Sequence, residues 1–433
     1  MSFLFANDEM GRYPPSWYAD STEKPQPRKH LSGRAKADIC IIGAGYTGLS
    51  AALHLAQSGL NVIVLEAHRT GFGASGRNGG QVGTGLNWPQ SKLERKLGKD
   101  TARQIWAMTE EAKSLVHALA TEHAPTAGIA PGVAHMDFTR ADRKTAAIEA
   151  DYMAATYGYD KIEPLDTKAA QDIVKTSRYA GGQIDWGAWH LHPLRYAVGL
   201  ADAAETAGAV IHENSWVTHI TEGSPNVVYT EKGRVEAEWV IHATNGYTTT
   251  LNRTQSAGVM PINNYLVATA PLDDPQAVLA KNIAVADNRF VLNYYRMSDD
   301  GRLIFGGGES YGKKFPTDIF KKVRKPLQNL FPQLADVELT HAWGGTLGIT
   351  QTRLPMIGMV GKTQLAACGY SGHGVAMATF AGKLMAEALT MNTDRFDVLS
   401  KLPTPAFPGG RALRSPIMTL AMTWFALRDR LEI

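Results

Sequence analysis

The chain of 433 residues contains only two cysteines, Cys40 and Cys368. That is too few for a disulfide framework or a cysteine-built zinc site. An excess of one charge is also missing: 44 Lys+Arg against 41 Asp+Glu leave a net +3, with no long basic or acidic block. The electrostatic reason to expect nucleic acid as a partner is therefore absent. No apolar run reaches the length of about 18 residues that a membrane-spanning helix needs. The opening "MSFLFANDEMGR" lacks the basic region and apolar core of a secretory signal. These absences leave a soluble globular protein, expected in the cytoplasm. The length exceeds one ordinary compact core, so two domains are expected. The pair His190 and His192 in "HLHP" has no carboxylate or third ligand beside it. It reads as a strand end before a helix over 194–207, and no metal is expected.

Glycine, by contrast, is concentrated. "GFGASGRNGGQVGTG" (Gly71 to Gly85) spends seven of fifteen positions on it. Such a stretch is either a solvated loop or a backbone that must approach a large polar ligand closely. The preceding segment, "ADICIIGAGYTGLSAALHLAQSGLNVIVLE", favours the ligand. Ile39 to Ile42 reads as a strand buried on both faces. Gly43, Gly45 and Gly48 follow in G-x-G-x-x-G spacing, with Tyr46 and Thr47 between them. Leu49, Ala52, Leu53 and Ala56 then mark one face of a helix. A second strand, 62–65, ends at Glu66 and Ala67. In such a unit the first glycine makes the turn, the second lets the backbone near a pyrophosphate, and the third lets helix and strand pack closely. The helix N-terminus offers N–H groups to phosphate. Glu66 can accept from ribose hydroxyls and disfavours a 2′-phosphate. A lone glycine motif is weak evidence, but inside strand–turn–helix–strand with a terminal acid it is strong.

That unit specifies an ADP-containing cofactor. The second glycine run specifies FAD, whose ring lies well beyond the pyrophosphate and needs backbone amides along its length. Ser75, Arg77, Asn78, Gly79, Gly80 and Gln81 are the candidates there, Arg77 for negative charge and Asn78 for the ring. Two later segments join them. "VIHENSWVTHI" contains Val217 on a strand, and "EAEWVIHATNGY" runs from a strand into a turn at Ala243. "LAACGYSGHGVAMATFAGKLMAEAL" is again strand, glycine turn and helix. Gly372, His373, Gly374 and Val375 would present amides to the flavin edge that becomes anionic on reduction.

Together these residues resemble the FAD-dependent oxidoreductases of the D-amino-acid oxidase and sarcosine oxidase superfamily. The resemblance runs nearly the whole length, through "GAGYTGLSAALHLA", "VLEAHRTGFGASGRNGGQ", "HLHPLRYAVGLADA", "NYYRMSDDGRLIFGGG", "GYSGHGV" and the tail "PAFPGGRALRSPIMTLAM". Within the superfamily it is strongest to the branch acting on γ-glutamylputrescine. It implies oxidation of an amine C–N bond to an imine that hydrolyses to an aldehyde, with O2 or a quinone reoxidising the flavin. It also implies a mostly antiparallel sheet over the flavin. Members that bind FAD covalently use a cysteine in the region that here reads "HAWGGTLGITQTRLP", which has none. FAD is therefore expected to be non-covalent. Gln351 and Thr352 stand where many members carry Pro-Asp. Val375, Ala376 and Met377 stand where sarcosine-oxidase-like members carry a lysine, so sarcosine is a less expected substrate.

"RFVLNYYRMSDDGRLIFGGG" reads as a β-hairpin. Its adjacent Tyr294 and Tyr295 must face opposite ways, so one can line the site. Both, with His373, are the catalytic candidates. Arg296 and Arg353 are the candidates for a substrate carboxylate. No carboxylate falls in the motifs placed at the flavin, so the amine is expected to react neutral, without a protein base.

The expected fold is α/β: a Rossmann-like FAD-binding domain, discontinuous in sequence (37–92, 158–256 and 337–395), and an α+β substrate domain on a mostly antiparallel sheet (93–157 and 257–336). Residues 1–36 form an arm pinned by Trp17 and Tyr18. Residues 396–433 form a tail whose apolar part, 415–427, reads as a packed terminal helix. Rival readings are an oxidase or dehydrogenase for another amine or amino acid (sarcosine, glycine, a D-amino acid), and a flavin-binding redox module without turnover. Nothing in the sequence sets the oligomeric state.

Overall fold

A computed structural model describes residues 3–248, 250–289 and 291–409. Two sheets face one another. In the first, five strands run parallel in the order Gln364–Cys368, Gly233–His242, Gly33–Ile42, Val62–Leu65, Val210–His212. Met356–Gly361 closes one edge antiparallel, and the hairpin Val217–Thr221/Asn226–Thr230 pairs with the early half of Gly233–His242. Val62–Leu65 is buried at all four positions, as an apolar run in a covered parallel sheet must be. The helix Tyr46–Gln57 is buried nearly all round because it lies between this sheet and the helices Gly374–Thr390 and Pro193–Thr206. Its alanines and Gly48 permit that crowding.

The second sheet has nine strands. Eight follow the order Leu339–Thr350, Val259–Thr269, Leu303–Ser310, Tyr294–Met297, Ala284–Asp287, Ala130–Asp137, Gly181–His190, Gln81–Val82, and Ile162–Leu165 pairs with Gly181–His190. All neighbours are antiparallel except Ala284–Asp287 with Ala130–Asp137. Strand alternation divides its side chains between two cores. Ala134, Ile184, Tyr265, Val267, Val285, Tyr295 and Phe305 pack outward, with Val323 and Leu327 of the helix Ile319–Leu330. Leu266, Ile304 and Trp343 point inward, where Trp17, Tyr18 and Leu194 cover them.

The arm is pinned as expected: Trp17 and Tyr18 are buried, and its end, Gly33–Lys36, already belongs to the first strand. The stretch 93–157 mixes helices and a strand. Between the helices Lys99–His123 and Arg140–Tyr157 it contributes Ala130–Asp137 to the middle of the second sheet. Strands pair with it on both sides, and that pairing overrides a local composition of Ala, Gly and Pro. Gly181–His190 and Leu339–Thr350 also stand in the second sheet, so the divisions drawn at 158 and 337 fall ahead of strands that belong to the other layer. Among the described residues no helix is long and apolar enough to cross a membrane, and no group of three or more His, Cys, Asp or Glu could hold a metal. The apolar stretch 415–427 lies outside the described residues.

Candidate active site

The two glycine motifs meet between the sheets. Gly48 sits where a Cβ would come within 1.9 Å of the Gly43 carbonyl oxygen, so the turn closes only with glycine there. A Cβ on Gly45 would lie 2.7 Å from Ser75 Oγ, and that hydroxyl accepts from Tyr46 N at 3.1 Å. The first and second glycine runs are thus in contact. The helix begun by Tyr46 has Gly45 as its N-cap and no side-chain cap, which leaves first-turn N–H groups for a ligand. Glu66 accepts from Ala44 N (2.8 Å) and His68 N (2.9 Å). Burial pushes its pKa up to about 7 despite those bonds. Ala67 follows it half-buried, Val217 is buried with Leu65 and Val240, and the Ala243 backbone N donates to Ile42 O at 2.9 Å.

The helix Gly374–Thr390, whose N-cap is His373, likewise has no side-chain cap. It crosses the first at Gly382, and Tyr370, just ahead of it, reaches Thr47 Oγ1 at 2.7 Å. Gly372, Gly374 and Val375 form the turn and first residues of this helix. Two bare helix N-termini joined by a glycine run suit an elongated anionic cofactor such as FAD. Glu66, Gly45–Thr47, Ser75–Gln81 and Gly372–Val375 would hold it in turn.

The side chains of the run are committed to the protein. Arg77 is buried, donates to Phe72 O (2.7 Å) and Gly344 O (2.9 Å), and pairs with Asp8 at 3.0 Å. These contacts bind the run to the arm and the second sheet, and Nη2 stays buried without a partner. Asn78 donates to Ala74 O and Ser75 O and accepts from Gly80 N, so it shapes the turn and its amide is not aimed at a ring. Gln81 Nε2 donates to Val285 O at 3.0 Å.

Tyr294 and Tyr295 divide as alternation requires. Tyr295 is buried in the outer core against Phe305 and Phe331, with its hydroxyl donating to Tyr179. Its candidacy for catalysis is corrected to packing. Tyr294 faces inward, and its ring lies where Cβ atoms on Gly79 or Gly306 would stand (2.7 and 2.1 Å). Its hydroxyl donates to Asn264 Oδ1. In register with Tyr294 across the sheet come Ala286, His135 and Gln183. His135, His373, Tyr294 and Glu309 all retain accessible surface, yet burial shifts the pKa of each toward its neutral form, to about 4 for His373. Accessible surface together with desolvation is what an enclosed opening produces.

Arg296 shares the Tyr294 face. It is 6% exposed, with Nη1 donating to Met297 O, its guanidinium 5.8 Å from the centre of the Tyr18 ring, and no acceptor in hydrogen-bond geometry at Nε or Nη2. It lines a cavity of about 430 Å³ together with His190, His192 and Arg195. Arg353 is half-buried with φ +64°, close enough for its charge to lower the pKa of Glu309. Sequence reasoning missed three groups on the inner face: His135, Asp185 and Glu309. The last two are carboxyl groups that lie outside the motifs placed at the flavin. His135 lies on the strand Ala130–Asp137, whose local composition of Ala, Gly and Pro does not announce a strand. Glu309 closes the run "GGGE", the one local signal that pointed to it. Cys40 and Cys368 are fully buried in the first sheet, with burial pushing the Cys368 thiol up to about 12.

Residues 38–388 match the family model described as "DAO: FAD dependent oxidoreductase", and the chain belongs to that family. It is an FAD-dependent oxidoreductase. It is 37% identical to the γ-glutamylputrescine oxidoreductase of Escherichia coli over 98% of this chain and 100% of that one. It is 40% identical to a "probable oxidoreductase" of Rhizobium meliloti, over 96% and 97% of the two chains. The glycine oxidase of Geobacillus kaustophilus superposes with a TM-score of 0.69 at 22% identity, covering 82% of this chain and 94% of that one, which shows the shared fold.

Proposed function

We propose that this enzyme oxidises the terminal amine of a γ-glutamyl amine, γ-glutamylputrescine being the best single substrate, to an imine that hydrolyses to an aldehyde. The observation that carries the reading is Arg296: a guanidinium buried beside the glycine run with no acceptor in hydrogen-bond geometry at Nε or Nη2. An unpaired buried charge is costly, and a carboxylate that fills the place relieves it. A γ-glutamyl cap supplies a carboxylate that plain putrescine lacks. The E. coli relative supports the same substrate by its name.

In this reading the first sheet's unit holds FAD and the inner face of the second holds the amine. Bound FAD supplies the hydride acceptor. The chain's own groups do the rest. Tyr294 and His135 wall the substrate's aliphatic chain and exclude water. The turn at His373 presents backbone N–H groups to developing negative charge. Arg296 anchors the carboxylate, with Arg353 as the second candidate, and so orients the reacting carbon. The electron acceptor that follows is O2 or a quinone.

The test is steady-state kinetics of Arg296→Met and Arg353→Met. At least one is expected to raise KM for γ-glutamylputrescine about tenfold or more, the worth of a charge-assisted hydrogen bond, with a smaller change for putrescine. If neither variant discriminates the two amines, the carboxylate assignment fails.

A further inference from the structure

A buried lysine stands beside the opening without a role in the chemistry above. Lys113, on the helix Lys99–His123, is 2% exposed. Its Nζ donates to Tyr159 Oη (3.0 Å) and Thr84 Oγ1 (2.8 Å), and pairs with Glu110 at 2.8 Å. Tyr159 in turn donates to Asp185 Oδ1 at 2.6 Å, and Gly187 N donates to the same oxygen at 2.9 Å. Gly187 makes this possible, since a Cβ there would lie 2.2 Å from the Tyr159 hydroxyl. Thr84 belongs to the glycine run, next to Gly83, whose Cβ would lie 3.6 Å from the His373 ring.

Asp185 is the inner end of this chain of contacts. It is two residues from Gln183 on one strand, so both point to the same face, and Gln183 pairs with His135. Gln183 Oε1 is buried there without a partner. One oxygen of Asp185 is fully claimed by Tyr159 and Gly187, which fixes the orientation of the carboxylate. Lys113 is the cation of the cluster, set against two carboxyl groups, Glu110 and Asp185, and burial raises the pKa of Glu110. His135, the other titratable group facing Asp185, is kept neutral by burial. The Asp185 carboxyl is the acidic group that this cluster carries to the inner face.

We propose that Asp185 receives the ammonium group of the amine substrate, with Tyr159 and Lys113 as positioning residues that orient its carboxylate. Asp185 thereby selects cationic amines, while Arg296, farther along the same face, selects those with a carboxylate. This rests on the amine-oxidation reading above, and the test separates the two.

The probe is tert-butylammonium, which has no α-hydrogen and cannot be oxidised. Its binding to the FAD-loaded protein is read from perturbation of the flavin absorbance. Asp185→Asn is expected to raise its dissociation constant ten- to a hundredfold and leave the affinity for FAD unchanged. Should that variant fail to hold FAD, Tyr159→Phe removes one hydroxyl and no charge, and a three- to tenfold loss is expected. Equal binding by wild type and the variants overturns the proposal, as does binding of tert-butanol as tight as that of the ammonium. Failure of every amine to reduce the flavin would sink the oxidation reading alone, because this titration requires no turnover.

Discussion

Glu66 is a buried carboxyl that costs the folded chain stability when ionised. Its carboxylate is buried, bonded to two backbone N–H groups, and still shifted up to about 7. Ribose hydroxyls that donate to it would favour the charged form. Glu66→Ala should therefore raise the dissociation constant for FAD about ten- to a hundredfold, measured by equilibrium titration. An unchanged constant would move the adenosine site elsewhere. The same shift predicts a pH effect on the protein freed of FAD. Folded Glu66 keeps its proton up to about 7, whereas the unfolded group loses it near the usual carboxylate value of about 4.3. Its contribution to stability is thus complete at low pH and lost as pH rises through 7. Denaturation midpoints compared at pH 5 and pH 7.5 should show wild type losing up to about 3 kcal/mol relative to Glu66→Gln. Parallel behaviour of the two proteins would remove the shift.

The strand Tyr294–Met297 carries two adjacent tyrosines to different ends. Sequence alone shows that they must part, but the choice between them depends on what covers each face. The helix Ile319–Leu330 covers the outer face, and Gly79 and Gly306 leave room for a ring on the inner one. Tyr294→Phe should alter substrate binding or flavin reduction several-fold. Tyr295→Phe should lower stability by about 1 kcal/mol, the usual worth of one hydrogen bond, with flavin-reduction rates unchanged. Stopped-flow reduction and denaturant unfolding of the two variants check this, and the reverse assignment of effects would contradict it. The strand Ala130–Asp137 is the opposite case. Its place in the sheet comes from long-range pairing with Gly181–His190 and Ala284–Asp287, which no local pattern reveals, and His135 stayed unread with it.

For the whole molecule, the cofactor end was legible because its chemistry is local. Gly43 to Gly48, Glu66 and the glycine run lie within one stretch, and each glycine spacing has a steric reason. The inner face of the second sheet was legible only at Tyr294 and Arg296, because Asp185, His135 and Glu309 come from three further strands assembled by the sheet. Arg77 and Asn78 were read as cofactor ligands from position alone, and their hydrogen bonds bind the loop to the protein. The absence of a cysteine near Trp343, with Cys40 and Cys368 fully buried, predicts that acid precipitation releases all the yellow colour into the supernatant. Colour retained in the pellet would mean a covalent link.

The central claim is that the opening between the sheets oxidises an amine bearing a carboxylate-containing cap. Anaerobic stopped-flow reduction of the bound flavin tests it most directly, with γ-glutamylputrescine, putrescine, sarcosine and D-alanine compared at equal concentration below saturation. The account predicts full bleaching by γ-glutamylputrescine, at an apparent second-order rate at least about tenfold above putrescine and above both amino acids. Faster bleaching by sarcosine or D-alanine, or a flavin that γ-glutamylputrescine leaves oxidised, would contradict it.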